Sequence, residues 1–380
     1  MGKITLFTVL LTILGFAGFS QQKDFSALVE LAVTIPVQQT KTIEQLSEYI
    51  AAHAETTPDR LRMIYTWLAG NINYDVERLR TRKHFKNDEE KIARLLADRK
   101  GVCEDYALVF VAVCKRLQIP AYLVVGYTRQ AGEIGSLPHG WCAAQSDNEW
   151  YLFDPTWAAG YVGEDGFQRR FSARYFMVQP QKMAATHMPF DPMFQFVSHP
   201  LTAAAFISGE MEQRAGFFNY RDSLKVYEIQ DDISRGEAVA RRIENNGTGH
   251  SLIREQLKYV KMEAKLNKEQ QRLNQLTEVS ELFKSGIEQY NRFIQYRNRR
   301  FRPVKSDDEL RLMVAIPYDY VQKAKTILGS IDMRDTQVTE TVTVFKQSLT
   351  EFEGKVREQQ RFIQSYLPKS MAARNQMLTR

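Results

Sequence analysis

The residues best suited to chemistry are a cysteine, a histidine and an aspartate that follow one another along the chain. Cys103 comes directly after Gly101 and Val102, and it opens a segment whose apolar residues recur at helical spacing. A thiol at the start of a helix faces unpaired backbone N–H groups and the positive end of the helix dipole, which favour the thiolate. The position of Cys103 is therefore suited to a nucleophile.

His139 and Asp154 belong to two strand-like segments, Gly140–Gln145 with His139 before it and Trp150–Asp154, which are joined by a polar turn. If the strands form an antiparallel hairpin, His139 lies opposite or nearly opposite Asp154, about 5 Å away at Cα. In that arrangement a carboxylate holds one imidazole nitrogen while the other nitrogen faces a nucleophile. The spacing therefore predicts a Cys-His-Asp triad whose cysteine comes from a helix packed on the hairpin.

Positioning these residues requires helices that pack against a sheet. The periodicity predicts helices up to and including the one that carries Cys103, and strands after it. The predicted elements are helices Thr40–Ala54, one starting at Thr57-Pro58-Asp59 with Thr57 as its cap, Asp88–Ala97 and Cys103–Leu117, followed by strand Ala121–Tyr127. Helices followed by antiparallel strands predict an α+β domain.

The same segments resemble the transglutaminase-like superfamily, within the papain-like cysteine fold. The resemblance extends over about residues 40–205, and it is specific because the identity, order and spacing of the motifs agree. Its elements are Trp67 with Asn71–Asp75, Gly101–Cys103, Cys114–Tyr127, His139–Trp141 and Phe153–Trp157. Farther on, the sequence is similar to the branch that contains kyphoscoliosis peptidase and the cytokinesis protein Cyk3, at Tyr175–Pro180, His187–Pro189 and Gln195–Pro200.

The resemblance implies a nucleophile at Cys103, a general base at His139 and an orienting carboxylate at Asp154. It does not fix the reaction, because the superfamily includes cross-linking enzymes, proteases, deglycosylating amidases and inactive members. We expect an exported cysteine acyl-transfer enzyme that hydrolyses peptide-like amide bonds in a protein or peptide substrate, since water is the abundant acceptor outside the cell. Transglutaminase-type cross-linking and a non-catalytic binding or scaffold module are the alternatives.

Several residues near the predicted triad have simpler structural interpretations. Tyr74 can support the Cys103 N–H in stabilising an oxyanion, but a core tyrosine is the simpler interpretation. Glu104 and Asp105 complement the dipole at the start of their helix. Core positions are expected for Trp141, Trp150 and Trp157, and loop or packing positions for His187 and His199.

Composition and the absence of certain sequence motifs argue against several classes of protein and of binding site. Apolar residues make up 44% of the 380 residues and charged residues 25%, which is typical of globular rather than disordered or fibrous proteins. Three cysteines cannot form the disulfide framework of a small secreted scaffold. The sequence has no CxxC, HExxH, phosphate-binding glycine motif or DxDxDG loop, so no metal or cofactor is expected. Nucleic-acid binding is disfavoured because only Arg297–Arg302 is densely basic and no recognition motif occurs.

The first 20 residues have the features of a signal peptide. Lys3 precedes an apolar run, Ile4–Ala17, and small residues suit cleavage after Ser20. The run is short for a permanent span, and no cysteine follows it for a lipid anchor. We therefore expect export to the periplasm, the cell envelope or the medium, with an uncleaved anchor as the alternative. An oxidising compartment would allow a Cys114–Cys142 disulfide, and two buried thiols are the alternative.

The last third of the chain changes to helix-only periodicity. Residues 251–380 carry 24 basic and 16 acidic side chains, a net charge of +8. Helices are predicted near 251–298, 306–328 and 334–367, with a Ser306–Glu309 capping box and a kink at Pro317. A heptad-like seam from Val338 to Tyr366 predicts a helical bundle or an antiparallel coiled coil.

The predicted organisation is a signal peptide at 1–20, a transglutaminase-like catalytic domain at 21–215 and a helical domain at 216–380. The helical domain offers no nucleophile, so its role is expected to be placement or partner binding. The seam either only packs the helices together or leaves a groove that binds a protein partner or a cell-envelope component.

Overall fold

The computed structural model describes residues 25–81, 85–332 and 336–378. The predicted signal peptide lies outside these residues. The described chain forms two compact units. One comprises the residues up to Glu228 together with Arg241–Gln256, and the other comprises Ile229–Ala240 and the residues from Leu257 onward.

The first unit surrounds a small sheet with helices. Its helices are α1 (Ser26–Val33), α2 (Ile43–His53), α3 (Thr57–Asn71), α4 (Val76–Thr81), α5 (Asp88–Asp98), α6 (Cys103–Arg116), α7 (Pro155–Ala159), α8 (Pro180–Met183) and α9 (Ala203–Ser208). Three further helices contribute residues to both units, namely α10 (Tyr220–Ile229), α11 (Asp232–Asn246) and α12 (Ser251–Asn298).

The described strands vary in length and pair mostly in antiparallel fashion. They are β1 (Asn73–Tyr74), β2 (Lys100–Gly101), β3 (Ala121–Gln130), β4 (Glu133–Ile134), β5 (His139–Ser146), β6 (Glu149–Phe153), β7 (Gly160–Gly163), β8 (Gly166–Arg169) and β9 (His187–Pro189). The main sheet has the order β4-β3-β5-β6, and β9 also pairs with β3. A parallel pair, β1 with β2, and a hairpin of β7 with β8 stand apart from it.

The hairpin of β5 and β6 is confirmed as antiparallel. Its two-residue turn places Asp147 and Asn148 at φ angles of 52° and 63°, the left-handed conformation of a tight type I′ connection. The pairing runs from Ser146↔Glu149 to Cys142↔Phe153 and ends there. Polar residues that tolerate positive φ therefore fix the register of the strands that carry the predicted histidine and aspartate.

The core of the first unit lies where α3 and α6 pack on the sheet. Trp67, Tyr106, Phe110 and Phe153 are almost completely buried in one cluster, with the rings of Phe110 and Phe153 5.1 Å apart. Fully burying a Phe side chain stabilises a protein by about 1.5–3 kcal/mol. These contacts hold α6, and with it Cys103, against the hairpin.

Two helix starts differ slightly from their predicted positions. Helix α2 begins at Ile43 rather than Thr40, because the Thr42 hydroxyl caps it by accepting the Gln45 N–H at 3.2 Å. The cap of α3 is Thr56, one residue before the predicted Thr57, and it accepts the Asp59 N–H. In each case a neighbouring threonine satisfies the free N–H groups.

The second unit is helical, with α12, α13 (Asp307–Ser330), α14 (Thr336–Tyr366) and α15 (Met371–Met377). Helix α13 starts with the predicted capping box of Ser306 and Glu309 and runs through Pro317. The seam of α14 is buried at intervals of seven residues, at Val342, Leu349, Val356 and Ile363. The seam therefore packs the helices together, and the predicted fold class is confirmed. Within the described residues, no helix is long and apolar enough to cross a membrane.

Candidate active site

Cys103 stands at the first position of α6, directly after a tight connection. Residues Tyr74 and Gly101 are partners in the parallel β1–β2 pair. A Cβ on Gly101 would lie 2.8 Å from Leu95 Cδ1 and 3.0 Å from Asp105 Cβ, so a larger residue would crowd both side chains. The buried Asp105 carboxylate closes the connection by accepting the Val102 N–H at 2.8 Å and by pairing with Arg78. The position of Cys103 is therefore held by the tight connection at Gly101, a capping carboxylate and an arginine.

His139 and Asp154 meet beyond the end of the β5–β6 ladder. His139 Nε2 lies 2.7 Å from Asp154 Oδ2. The last strand pair is Cys142↔Phe153, so the two residues are offset along the hairpin rather than directly opposite. Asp154 reaches the imidazole because it leaves the strand as the N-cap of α7, where Oδ1 accepts the N–H groups of Thr156 and Trp157, both at 2.9 Å.

Cys103 and His139 are hydrogen-bond partners through their side chains. Nε2 of His139 is engaged with Asp154, which leaves Nδ1 as the ring nitrogen available to the thiol. Gly140 lies close to the start of α6, where a Cβ would be in van der Waals contact with the Glu104 backbone at 3.4 Å. The structure thus brings all three predicted residues into one chain of contacts.

The buried imidazole and carboxylate favour the charged pair. Burial alone would lower the pKa of His139, but the charge and hydrogen bond of Asp154, together with those of Cys103, raise it to about 10. Burial alone would raise the pKa of Asp154, but His139 and His187 hold it well below its ordinary value. Asp154 therefore stays ionised and His139 is protonated at neutral pH.

His187 belongs to the site, although the sequence interpretation placed it in a loop or packing position. It begins β9, its side chain is fully buried, and its Nε2 lies 3.1 Å from Asp154 Oδ2. Its Nδ1 lies 2.8 Å from the Thr186 hydroxyl. Burial lowers the pKa of His187 more than the hydrogen bond to Asp154 raises it, so this imidazole is neutral. The only sequence signal was its place in a motif of the resembling branch.

Aromatic rings enclose the two histidines. The Trp157 ring lies 4.5 Å from that of His187 and 5.5 Å from that of His139. Trp157 is half-buried and lines a cleft, so its predicted core position is only partly right. Trp141 and Trp150 are buried as expected. The Trp157 ring keeps solvent away from the carboxylate that both histidines share.

Tyr74 also differs from its simple interpretation as a core residue. It is half-buried, lines the same cleft as His139 and is a side-chain hydrogen-bond partner of Cys103. Burial, and then the neighbouring Cys103, raises the pKa of its phenol, so the hydroxyl keeps its proton. The parallel pair with Gly101 brings this donor to Cys103.

The cleft that opens at His139 has a volume of about 710 Å³, the size of a ligand-binding pocket. Aromatic and polar side chains line it, including Tyr74, Trp157, Tyr161, Phe167 and Tyr175. It is open to a substrate beside the contact chain of Cys103, His139 and Asp154.

The other two cysteines are unsuited to chemistry. Cys114 and Cys142 are free thiols with no exposed surface. Burial raises the pKa of both thiols well above the ordinary value, and such thiols are poor nucleophiles. Cys103 is thus the reactive candidate among the three.

His139, Asp154 and His187 also form a set of ligand types that can bind a metal ion, with their ligand atoms within 4.8 Å of one another. Both Nε2 atoms already lie at hydrogen-bond distance from the same carboxylate oxygen, at 2.7 and 3.1 Å. A metal ion would have to replace these hydrogen bonds. The arrangement fits an orienting carboxylate better than a metal centre.

Residues 44–155 match the family model of the transglutaminase-like superfamily. Kyphoscoliosis peptidase of Mus musculus is 26% identical over 187 residues, which cover 47% of this chain and 27% of that protein. Cytokinesis protein 3 of Schizosaccharomyces pombe is 22% identical over 188 residues, which cover 47% of this chain and 20% of that protein. The crystal structure of a TGase aligns with a TM-score of 0.25 at 21% identity, over 43% of this chain and 38% of that one.

These similarities confirm the resemblance that the motifs indicated, with distant similarity to the two named proteins. The matched segment contains Cys103, His139 and Asp154. The chain spans only about a fifth to a quarter of the length of the curated relatives it matches. The weak structural alignment adds nothing to the family match.

Proposed function

We propose, on the premise that residues 44–155 form a transglutaminase-like core, that the protein is a cysteine acyl-transfer enzyme that hydrolyses peptide-like amides. The observation that carries the proposal is the contact chain from Cys103 through His139 to Asp154 at the edge of an open cleft. A nucleophile, a base and an orienting carboxylate in this order are the machinery of covalent acyl transfer.

In the first half of the proposed reaction, His139 holds the proton of the Cys103 thiol, and the sulfur attacks the carbonyl carbon of the amide as a thiolate. The tetrahedral intermediate collapses as the carbon–nitrogen bond breaks, and His139 gives its proton to the leaving amine. An acyl thioester remains on Cys103. In the second half, His139 removes a proton from water and the hydroxide oxygen attacks the thioester carbon. The carbon–sulfur bond then breaks, which releases the carboxylic acid and returns Cys103 to a thiolate beside the protonated His139.

The developing oxyanion needs donors close to Cys103. The first N–H groups of a helix have no partner within the helix, and Cys103 supplies one of them at the start of α6. The Tyr74 hydroxyl supplies a second, because it is protonated and in contact with the Cys103 side chain. One such donor is worth about a hundredfold or more in rate.

Hydrolysis is preferred over cross-linking because we also propose export, where water is the abundant acceptor. Export rests on residues 1–20, which have signal-peptide character. In this proposal the helical second unit places the enzyme by binding a protein partner or a cell-envelope component.

The test begins with alkylation by iodoacetamide at pH 7, followed by peptide mapping. We expect rapid labelling of Cys103 in the folded protein, slow labelling of the buried Cys114 and Cys142, and no rapid site in Cys103→Ser. Amide hydrolysis is then measured on peptide and cell-wall fragment libraries, with Cys103→Ser as the control.

The outcomes separate three functions. Cleavage that Cys103→Ser loses supports hydrolysis, whereas Cys103-dependent incorporation of a fluorescent primary amine would identify a cross-linking enzyme. An unreactive Cys103 would contradict both and favour a binding or scaffold module.

A further inference from the structure

The cleft beside His139 is positively charged. Its lining includes Arg129 and Arg174, and among the described residues that line it none carries a carboxylate. Acidic residues that flank the lining segments in sequence, such as Glu133, Glu164 and Asp165, are not part of the lining. Such a cleft attracts anions, because unpaired charges of one sign focus the electrostatic field there.

Arg129 is held in place but not neutralised. One terminal nitrogen donates to the Ile207 carbonyl at 2.8 Å, and the guanidinium carbon lies 6.0 Å from the centre of the Phe206 ring. Its Nε is buried without a hydrogen-bond partner. A guanidinium has five N–H donors, so Arg129 keeps donors for a ligand while a carbonyl and a ring fix its position.

Arg174, the other arginine that lines the cleft, is exposed. It lies over the ring of its neighbour Tyr175 at 5.6 Å. The Tyr175 carbonyl accepts the Asp154 N–H at 3.0 Å, which ties this segment to the triad carboxylate. Among the described residues, neither Arg174 nor Arg129 forms an ion pair with a carboxylate.

The distance between His139 and Arg129 is set by β3. Gly126 is the strand partner of His139, and Arg129 follows three residues later on the same strand. A strand advances about 3.3 Å per residue, so the step is about 10 Å. An extended peptide bound in the cleft covers that distance in about three residues.

We propose that the cleft selects acidic peptides, with a Glu or Asp side chain or a terminal carboxylate within about three residues of the amide that Cys103 attacks. Planar guanidinium groups bind carboxylates through two parallel N–H···O bonds. The proposal rests on the proposed function for the attacked amide, and it adds the chemical class of the substrate.

The experiment compares sets of peptide amides that differ only by Glu, Gln or Lys, placed one to three residues on either side of the scissile bond. We expect kcat/KM for the best Glu position to exceed that of its Gln counterpart by about tenfold, mainly through KM, and Lys to be poorest. In Arg174→Gln and Arg129→Gln the preference for Glu should fall to about twofold or less. Arg129→Lys keeps the positive charge but loses the two parallel N–H donors of the guanidinium, so its preference for Glu should be intermediate.

Arg221→Gln is the matched control, because Arg221 is exposed in the same unit, pairs with Glu149 and does not line the cleft. Thermal melting checks each variant. If Arg129→Gln does not fold, the exposed Arg174→Gln carries the test. Equal rates for Glu, Gln and Lys peptides in the wild-type protein would overturn the proposal.

A second measurement does not need turnover. Iodoacetyl peptides carrying Glu, Gln or Lys are compared by the rate at which they alkylate Cys103. A Glu preference that Arg174→Gln reduces supports the acidic cleft even if no amide is cleaved, in which case only the proposed function fails. Cleavage or labelling without charge preference would leave the function standing and contradict the acidic cleft.

Discussion

At the scale of single residues, one carboxylate serves two imidazoles. The rings of His139 and His187 are 5.7 Å apart, and both Nε2 atoms point at Asp154 Oδ2. Two imidazolium ions this close would repel each other in a site with little solvent. Asp154 can therefore hold one charged imidazole, His139, while the more deeply buried His187 stays neutral.

The two histidines should hold different charges at pH 7. Nitrogen NMR of the rings is expected to show His139 as imidazolium and His187 as the neutral Nε2–H tautomer. The pKa of His139 is raised to about 10, above an unfolded value of about 6.5. Its charge therefore stabilises the fold fully below about pH 6.5, and this contribution is lost as the pH rises through about 10. Unfolding free energies of wild type and His139→Gln from pH 6 to 10 should converge.

Substitution of His187 separates its hydrogen bond from its bulk. His187→Gln keeps an N–H for Asp154, so iodoacetamide should alkylate Cys103 in this variant at close to the wild-type rate. His187→Ala should lose about tenfold in rate and about 1–3 kcal/mol of stability. The exposed His199 lies outside the site, so His199→Ala is the control. Two imidazolium signals at pH 7 would contradict the shared carboxylate.

At the scale of elements, a single residue of β3 pairs with both of the strands that carry His139 and His187. Gly126 is the strand partner of His139 on β5 and of Pro189 on β9. A Cβ on Gly126 would lie 2.1 Å from the Met188 carbonyl oxygen. The missing side chain is what allows β9, and with it His187, to lie close to the sheet.

Gly126→Ala should therefore damage the site through β9. We expect a loss of about 1–3 kcal/mol in urea unfolding, together with slower alkylation of Cys103. Gly216→Ala is the control, because a Cβ there meets no atom within 4 Å. An unchanged alkylation rate in folded Gly126→Ala would show that β9 does not position the triad.

The elements that could be predicted from the sequence are those with local signals. Helix α6 and the β5–β6 hairpin follow from periodicity and turn residues, and the capping box of α13 from Ser306 and Glu309. Strand β9 has three residues, too few for a period, and His187 meets Asp154 across 33 positions of the chain. The β1–β2 pair that brings Tyr74 to Cys103 could not be predicted from the sequence either, because only tertiary packing creates it.

At the scale of the whole molecule, the first unit includes residues beyond the predicted boundary at 215. Tyr220 and Leu224 are buried in a cluster with Trp150 and Phe196. Arg242 pairs with the buried Asp191 at 2.6 Å. These contacts connect residues on both sides of position 215 within the first unit.

A chain ending at residue 256 should be more stable than one ending at residue 215. The shorter chain leaves Asp191 buried without Arg242, and removing one partner of a buried ion pair costs about 3–5 kcal/mol. Thermal melting and Cys103 alkylation measure the difference. In the full chain, Arg242→Ala should reproduce the loss and the surface variant Arg221→Ala should not. Equal melting temperatures for the two shortened chains would support the boundary at 215.

Asp154 is the N-cap of α7, so the order of the site depends on the local equilibrium between the folded and the frayed helix. The same carboxylate that orients His139 binds the Thr156 and Trp157 N–H groups, so fraying of this five-residue helix and release of the carboxylate are one event. Local openings of this kind occur far more often than global unfolding. Hydrogen exchange of the Thr156 and Trp157 N–H groups therefore measures how often Asp154 is released while the core stays folded. The same exchange rates give the fraction of time in which His139 and Asp154 are in contact.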